Sequence, residues 1–444
     1  MPQTVERLKS SEFRLDYDWN APFTTEIAEP TPYQAYQVKV VSEDLRDGLH
    51  GVSEYPPVEK MLQYIDVLRD LGITNIVVGV YSGEGSHLNL TIKKILKETH
   101  NSFPEISPIV LSLATEDSLR WAGECREINP NLETIVFMGT APSRLLVEGW
   151  EEDYVLRQLS WAVSKATNEY GLNVIGATEH TTQTPPDFLK KIIKVEVEAG
   201  ARTFCIADTI GGARPIGAYQ IVSFVKEVLE EIGAKDVLVD WHGHDDMGNA
   251  VANSFFAIAA GANRVHAVAR GVGERAGNTR MEALLLNLNA IVTEGGLKSP
   301  WKMEKLSQVL SLYDQLIKSP PPRYGPLGER SHITSLGIHA AAMLKAAGLV
   351  EEIKATGDDE LTRRVEEIVG RVYTAVAPLS VGKKNETRIS HWSGENTVKL
   401  AYSLLGGDPE SLSQEKIKQV LLTAKALKRE LTPEELHDLL NGNG

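Results

Sequence analysis

The sequence of 444 residues has few of the features that define secreted, membrane or disulfide-rich proteins. Its two cysteines, Cys125 and Cys205, are too few for a disulfide framework and lie in no metal-binding spacing. No apolar run is long enough to span a bilayer, and residues 1–23 carry charges without the apolar core of a secretory signal. We therefore expect a cytoplasmic protein that does not associate with a membrane.

Positive charge is also in deficit. With 46 Lys and Arg residues against 60 Asp and Glu residues, the formal net charge is −14, which disfavours nucleic acid as a partner. An anionic metabolite is not excluded, because a metal ion and local arginines can override the overall field. The length exceeds what one hydrophobic core usually spans, so we expect one domain of roughly 250–300 residues with a smaller appendage.

From about residue 36, short β-branched apolar runs alternate with longer amphipathic stretches, as in strand–helix units of a parallel sheet. The predicted strands cover residues 37–42, 75–80, 109–113, 134–138, 172–177, 203–207, 237–241 and 264–267. Eight such units over about 260 residues predict an α/β fold, a closed (β/α)8 TIM barrel. An open doubly wound sheet is the competing architecture. No Gly-x-Gly-x-x-Gly follows the first strand, so its dinucleotide-binding form lacks support.

The alternation stops after about residue 297, and this change divides the chain. The proline-rich residues 319–322 and the pair Gly325-Pro326 indicate a linker. The predicted parts are an N-terminal extension (1–36), a catalytic barrel (37–297), a linker (298–330) and helical C-terminal subdomains (331–444). The last part has one irregular stretch, residues 375–395, and ends in a charged helical pattern that suits solvent or a partner subunit.

Two histidines, His242 and His244, end the seventh predicted strand. Residues i and i+2 of a strand project to the same face, and barrel active sites gather at the carboxyl ends of the strands. A bare His-x-His pair is as often a strand cap beside a surface residue as a metal site. Asp47, at the end of the first strand, is separated from the pair only by strand eight and completes a facial set. Mg²⁺, Mn²⁺ or Zn²⁺ suits these ligands.

A glycine-rich segment, GVGERAGN at residues 271–278, follows the eighth predicted strand. Gly273 lets the backbone approach a ligand beside Glu274, and Asn278 can offer an amide oxygen to the metal or to the groups around it. Glycine loops are common, so the segment alone is a weak signal. Its position beside the two histidines strengthens it.

Three motifs carry a resemblance to a known family. They are LRDG at residues 45–48, HGHDDMGNA at 242–250 and GERAGN at 273–278. In their order and spacing, over residues 40–400, the chain resembles the 2-isopropylmalate, homocitrate and citramalate synthases, whose superfamily includes HMG-CoA lyase and 4-hydroxy-2-oxovalerate aldolase. The resemblance implies an acyltransferase of amino-acid biosynthesis. Such an enzyme condenses acetyl-CoA with a 2-oxo acid in a Claisen-type reaction and hydrolyses the thioester, releasing CoA and a 2-substituted malate.

The resemblance also implies residue roles. Asp47, His242 and His244 match the metal ligands, Asn278 matches a residue at or beside the metal, and Arg46 matches the arginine that polarises the keto oxygen. Physical chemistry agrees, since a fixed positive charge stabilises the alkoxide that develops there.

Three further positions match family residues outside the metal site. Glu179 matches an active-site glutamate on the fifth strand, and Thr209 a threonine that binds the substrate carboxylate. His339 matches the catalytic base that the family supplies from the region after the barrel, often across a dimer interface. A lone histidine on a helix is more often structural. A homodimer with exchanged C-terminal regions is therefore expected.

The sequence departs from the family around the 2-oxo acid. Val77 stands where a second-strand glutamate usually pairs with Arg46, so that partner is missing or comes from elsewhere. Arg144 stands where a histidine is common, and it either recognises a distal carboxylate or points to solvent. Tyr81 replaces a proline. Because the loss of the glutamate makes this wall less polar, we expect a bulky or aromatic 2-oxo acid.

Two alternatives remain. A lyase of the same superfamily is expected to carry a cysteine in the glycine loop, and the loop of this chain has no cysteine. An aldolase is expected to have a catalytic histidine near the first loop, and His50 leaves that alternative possible. A barrel without activity is suggested by Val77, but ligand-type side chains at a pocket mouth are costly to keep without a metal. The sequence also ends before a leucine-sensing domain would follow, so no leucine inhibition is expected.

Overall fold

The computed structural model describes residues 28–50, 52, 54–370, 373–374 and 376–441. Most of the predicted N-terminal extension, residues 1–27, lies outside the described residues. The chain divides into two compact units. The first comprises the chain up to Lys302 together with Val309–Pro320, and the second comprises Met303–Gln308 together with the chain from Pro321 onward.

The first unit contains a closed barrel of eight parallel strands in chain order, which confirms the predicted fold. The strands are β1 (Lys39–Ser42), β2 (Asn75–Val80), β3 (Ser107–Leu113), β4 (Glu133–Gly139), β5 (Asn173–Glu179), β6 (Thr203–Asp208), β7 (Leu238–Gly243) and β8 (Arg264–Ala267). β8 closes the barrel on β1, with Val41 paired to His266. The middle strands run one or two residues beyond the predicted ends, because the ladder continues after the apolar run into polar residues such as Glu179.

Helices alternate with the strands and cover the barrel. They are α1 (Pro32–Gln37), α2 (Val58–Leu71), α3 (His87–Ser102), α4 (Glu116–Ile128), α5 (Pro142–Glu148), α6 (Glu152–Asn168), α7 (Pro186–Glu198), α8 (Pro215–Glu231), α9 (Ala250–Ala259), α10 (Met281–Glu294) and α11 (Leu306–Leu316). Helix α2 illustrates how the sequence determines where these helices begin and end and which face they bury. Pro57 precedes it, Leu68 and its neighbours bury one face, and Gly72 ends it with a φ of 109° that favours glycine.

Apolar side chains fill the barrel interior below the mouth. The buried cluster comprises Val41, Val77, Ile109, Leu111, Ile135, Ile175, Ala177 and Cys205. Cys205 is 3% exposed and burial raises the pKa of its thiol, as expected for the inert thiol of an apolar strand. Buried charges accompany this cluster: Arg264, the first residue of β8, donates to Asp240 and to Glu133. The barrel interior is therefore filled by side chains, and ion pairs connect its strands.

The second unit is mainly helical, as predicted for the region after the barrel. Its helices are α12 (Gly337–Lys354), α13 (Asp359–Gly370), α14 (Glu395–Leu404), α15 (Gln414–Leu427) and α16 (Pro433–Asn441). Two short strands that the sequence did not predict, β9 (Ile333–Thr334) and β10 (Glu386–Thr387), form a parallel pair. In the part of the chain that the structure describes, no helix is long and apolar enough to cross a membrane.

Glu196, on α7, is buried without a hydrogen-bond donor among the described residues. Gly176 of β5 leaves it room, since a Cβ there would collide with the carboxyl group. Burial raises the pKa of Glu196 well above its usual value of 4.5. The carboxyl group is therefore neutral in the folded protein under conditions where it ionises in the unfolded chain.

We expect the free energy of unfolding to fall as the pH rises from about 5 toward the folded-state pKa of Glu196, and Glu196→Gln to remove this component. The contribution is fully present below the unfolded pKa and is lost at up to about 1.4 kcal/mol per pH unit above it. Urea unfolding at several pH values measures it. Glu198→Gln, an exposed position on the same helix, is the control. Parallel pH profiles for wild type and Glu196→Gln would contradict the expectation.

Candidate metal centre and active site

A cavity of about 380 Å³ opens among the carboxyl ends of the barrel strands. One side is polar and carries Glu43, Arg46, Asp47, His242, His244 and His266. The other side is mainly apolar and carries Val80, Leu111, Ile135, Phe137 and Ala177. The predicted active-site end of the barrel therefore holds a pocket with one charged wall and one apolar wall.

His242 and His244 lie at the end of β7 and point into this cavity. Their Nε2 atoms are 3.3 Å apart. His244 has its Nδ1 atom 3.2 Å from the carbonyl oxygen of Gly277, so we assign its proton to Nδ1. The Nε2 lone pair of His244 then faces Asp47, whose Oδ2 atom is 3.8 Å away.

Asp47 is 1% exposed and is held by the glycine loop. Its Oδ1 atom accepts hydrogen bonds from the backbone amide of Glu274 at 3.0 Å and from Nδ2 of Asn278 at 2.9 Å. Gly273 has a φ of 145°, and a Cβ there would collide with Asp47 and with the side chain of Asn278. The amide nitrogen of Asn278 thus faces Asp47 and donates a hydrogen bond to its carboxylate, and the amide oxygen is not presented to the cavity.

The donor set fits a divalent metal ion. One nitrogen from each of His242 and His244 and one oxygen of Asp47 lie within 4.8 Å of one another. Burial and the neighbouring His244 lower the pKa of His242 to about 3, and burial also lowers the pKa of His244. Burial alone would raise the pKa of Asp47, but Arg46 and the histidines hold it at about 2. Neutral imidazoles beside an ionised carboxylate are the protonation states that metal binding requires.

Arg46 is fixed by two carboxylates at the edge of this set. Its Nη1 atom donates to Asp47 at 2.8 Å, and its Nε atom donates to Glu43 at 2.9 Å. The partner of Arg46, missing from the second strand at Val77, therefore comes from Glu43. Burial would raise the pKa of Glu43, but Arg46 and the hydrogen bond from His266 hold it far below its usual range.

Glu43 and His266 are the site residues that the sequence analysis missed. A signal for Glu43 was present, because it directly follows β1 and precedes Asp47 by four residues. His266 sits inside β8, where a lone histidine in an apolar run gives little indication of its partners. Only the closure of β8 on β1 brings it within 2.8 Å of Glu43.

Glu179 and Thr209 line the cavity, and their roles toward a substrate stay predictions. Thr209 accepts a hydrogen bond from the backbone amide of His180 through Oγ1, at 2.8 Å. Arg144 lies just behind this wall. It pairs with Glu148, its Nε atom is 3.6 Å from Glu179, and its guanidinium lies 5.9 Å from the Trp150 ring. Arg144 thus contacts two carboxylates of this chain, and the choice between a distal substrate carboxylate and solvent stays a prediction.

Val77 and Tyr81 do not line the cavity. Val77 is fully buried in the interior apolar cluster. The β2–β3 register shifts between Val77 and Gly79, so β2 contains a bulge. Beyond the bulge Val80 faces the cavity, whereas the Tyr81 ring packs 5.7 Å from Trp121. Strict alternation along the strand would have turned Tyr81 inward.

His339 belongs to the second unit, on α12. Its ring stacks on Tyr373, with centroids 3.9 Å apart, and lines a small pocket with Met343 and Asn385. Its role as a base stays a prediction.

Residues 37–312 match the model of the HMGL-like family, and the chain belongs to this family. The match includes the ligand set Asp47, His242 and His244, and it confirms the family that the motifs predicted.

The chain is similar to enzymes named 2-isopropylmalate synthase. It is 28% identical to that of Pyrococcus abyssi over 70% of this chain and 62% of the relative, so it spans less than two thirds of that relative's length. It is 28% identical to that of Neisseria meningitidis serogroup A over 92% of this chain and 74% of the relative. A solved hydroxymethylglutaryl-CoA lyase from Pseudomonas aeruginosa shares the fold, with a TM-score of 0.54, 17% identity, and coverage of 64% of this chain and 93% of that one.

Asp47→Asn is expected to weaken binding of a divalent cation by more than about 100-fold, because it removes the anionic ligand, whereas loss of an outer hydrogen bond costs 10–100-fold. Calorimetric titration of metal-free protein with Mn²⁺ measures this. His100→Ala, at an exposed position on α3, is the control and should bind as wild type does. Equal affinity of Asp47→Asn and His100→Ala would show that the cation binds elsewhere.

Proposed function

We propose that the protein is an acyltransferase that condenses an acetyl thioester, acetyl-CoA, with a 2-oxo acid to give a 2-substituted malate and free CoA. The observation that carries this proposal is the set of Asp47, His242 and His244 with Arg46 beside it at the mouth of the cavity. The similarity to enzymes named 2-isopropylmalate synthase supports the same reaction class.

Arg46 has the geometry to stabilise the charge that develops on the ketone oxygen. A divalent cation at the three ligands would supply Lewis-acid chemistry to a chelated 2-oxo acid; Mg²⁺, Mn²⁺ and Zn²⁺ are the candidates. The guanidinium of Arg46 is held on both sides by carboxylates, so it needs no reorganisation when the alkoxide forms. We assign to Thr209 the binding of the substrate carboxylate and to Glu179 an active-site role, on the motif match and because both line the cavity.

A base must also remove a proton from the acetyl methyl group. We assign this role to His339, in a homodimer with exchanged C-terminal regions, on the strength of the motif match. Sedimentation of the active enzyme tests the assembly, and a fully active monomer would contradict it.

The walls of the cavity favour a 2-oxo acid with a bulky, uncharged side chain. Leu111, Ile135 and Phe137 form an apolar surface opposite the ligands. The cations at the cavity already have anionic partners: Arg46 pairs with Glu43 and Asp47, and Arg275 pairs with Asp246. Arg144 behind the wall is neutralised as well. Among the described residues lining the cavity, no unpaired arginine or lysine awaits a second substrate carboxylate.

A panel of 2-oxo acids with acetyl-CoA and a thiol-trapping reagent is expected to show the highest kcat/KM for aromatic or branched side chains of at least four carbons. Preference for 2-oxoisovalerate or 2-oxoglutarate would contradict this expectation. Release of acetyl-CoA from 3-hydroxy-3-methylglutaryl-CoA, with no condensation of any 2-oxo acid, would favour the lyase alternative. Absence of both reactions in metal-loaded protein would favour a barrel without activity.

Phe137→Ala is expected to lower kcat/KM for an aromatic 2-oxo acid by about tenfold or more, because an apolar contact in a pocket contributes roughly 1–3 kcal/mol. Steady-state kinetics against pyruvate, which has too short a side chain to reach this wall, should show a smaller loss. Phe255→Ala, on the outer helix α9, is the control and should leave kcat/KM unchanged for both the aromatic 2-oxo acid and pyruvate. A uniform loss for both substrates would mean that Phe137 supports the fold and not the substrate.

A further inference from the structure

We propose that Glu43 is the positioning residue of this site, a single carboxylate that fixes both Arg46 and the metal ligand His242. The inference rests on the proposed function for the role of Arg46, and on the ligand set alone for the role of His242. It assigns to the end of β1 a task for which the second strand offers only the apolar Val77.

Glu43 has no freedom to turn. Its side chain is 1% exposed at the end of β1. Oε2 accepts from Nε of Arg46 at 2.9 Å, and Oε1 accepts from Nδ1 of His266 at 2.8 Å. Because one oxygen is engaged by each partner, the carboxylate plane is set by two hydrogen bonds from different strands.

The third neighbour of Glu43 is His242, whose orientation it sets. The Nδ1 atom of His242 is buried and has no hydrogen-bond partner among the described residues, and Oε1 of Glu43 lies 3.8 Å from it. A buried ring nitrogen beside a carboxylate is the one that carries the proton, so the lone pair of His242 is on Nε2. Nε2 is the atom that faces His244 across 3.3 Å. Carboxylates behind metal-binding histidines fix the tautomer in this way and raise the basicity of the ligand.

Glu43 is in turn anchored through the barrel interior. His266 lies with Nε2 3.4 Å from Asp240, and Asp240 accepts from Nε of Arg264 at 2.8 Å. Charges of alternating sign on β7, β8 and the end of β1 therefore hold the carboxylate from behind. Such partners let a buried carboxylate stay ionised without moving toward solvent.

Replacing the charge should therefore have two separable effects. Glu43→Gln keeps the size of the side chain but replaces one carboxylate oxygen with an NH2 group. This hydrogen-bond donor then faces one of the two donors, Nε of Arg46 or Nδ1 of His266. The affinity for metal should fall by about 10–100-fold, the usual cost of disturbing a group behind a ligand. With saturating metal, kcat should fall while KM for the 2-oxo acid changes little, because a loosened Arg46 acts on the developing alkoxide.

The experiment compares three variants with wild type. Metal-free Glu43→Gln, Glu43→Asp and Glu196→Gln are titrated with Mn²⁺ and followed by the electron spin resonance signal of the free ion. Glu196→Gln makes the same change at another buried carboxyl group of the barrel, one without a hydrogen-bond partner among the described residues, and serves as the matched control. Steady-state kinetics at saturating Mn²⁺ follow, and thermal unfolding checks that each variant is folded.

Weaker Mn²⁺ binding in Glu43→Gln, partial recovery in Glu43→Asp and wild-type binding in Glu196→Gln are expected. Equal losses in Glu43→Gln and Glu196→Gln would overturn the proposal, because the loss would then follow from changing any buried carboxyl group of the barrel. So would unchanged Mn²⁺ affinity in Glu43→Gln. If Glu43→Gln does not fold, Glu43→Asp, which keeps the charge on a shorter side chain, decides in its place. It should bind Mn²⁺ more weakly than wild type, and unchanged affinity would overturn the proposal. If wild type condenses no 2-oxo acid, the proposed reaction fails, but the Mn²⁺ comparison still decides the role of Glu43 toward His242.

Discussion

The ionised carboxylate of Asp47 is buried beside two imidazoles, and a charge in such a place is stable only when donors surround it. Arg46, the backbone amide of Glu274 and the side chain of Asn278 supply these donors. The backbone can approach that closely only because Gly273 has no side chain. The glycine loop is thus as much a part of the anion's environment as the arginine is.

The same constraint continues into the barrel. An arginine beside Asp47 must itself be oriented, and Glu43 does this from the first strand while His266 holds Glu43 from the eighth. The charged wall is therefore rigid and occupied with its own partners. The opposite wall offers only apolar contacts, so the chemistry and the choice of side chain are divided between two surfaces of one cavity.

Much of this arrangement could be predicted from the sequence. Eight alternating strand and helix signals predicted the barrel, and the rule that strand ends share one rim placed Asp47 near His242 and His244. The role of Glu43 was not predicted, because the partner of an arginine depends on side-chain rotamers and on closure of the barrel. Neither of these produces a periodic pattern in the sequence. Tyr81 was expected at the substrate because it replaces a proline of the family, but a bulge in β2 turns Val80 toward the cavity instead. Arg144 was weighed without Glu179 and Glu148, which become its neighbours only in the fold.

The bulge in β2 has a consequence for how such a pocket can change. One extra residue between Val77 and Gly79 decides that Val80, and not Tyr81, faces the cavity. Flattening the bulge with the sequence unchanged would turn Tyr81 inward in place of Val80, and would so exchange an aliphatic for a phenolic surface without replacing any amino acid. Substrate preference in this barrel can therefore diverge by a shift of strand register, a change that comparisons of aligned side chains would not detect.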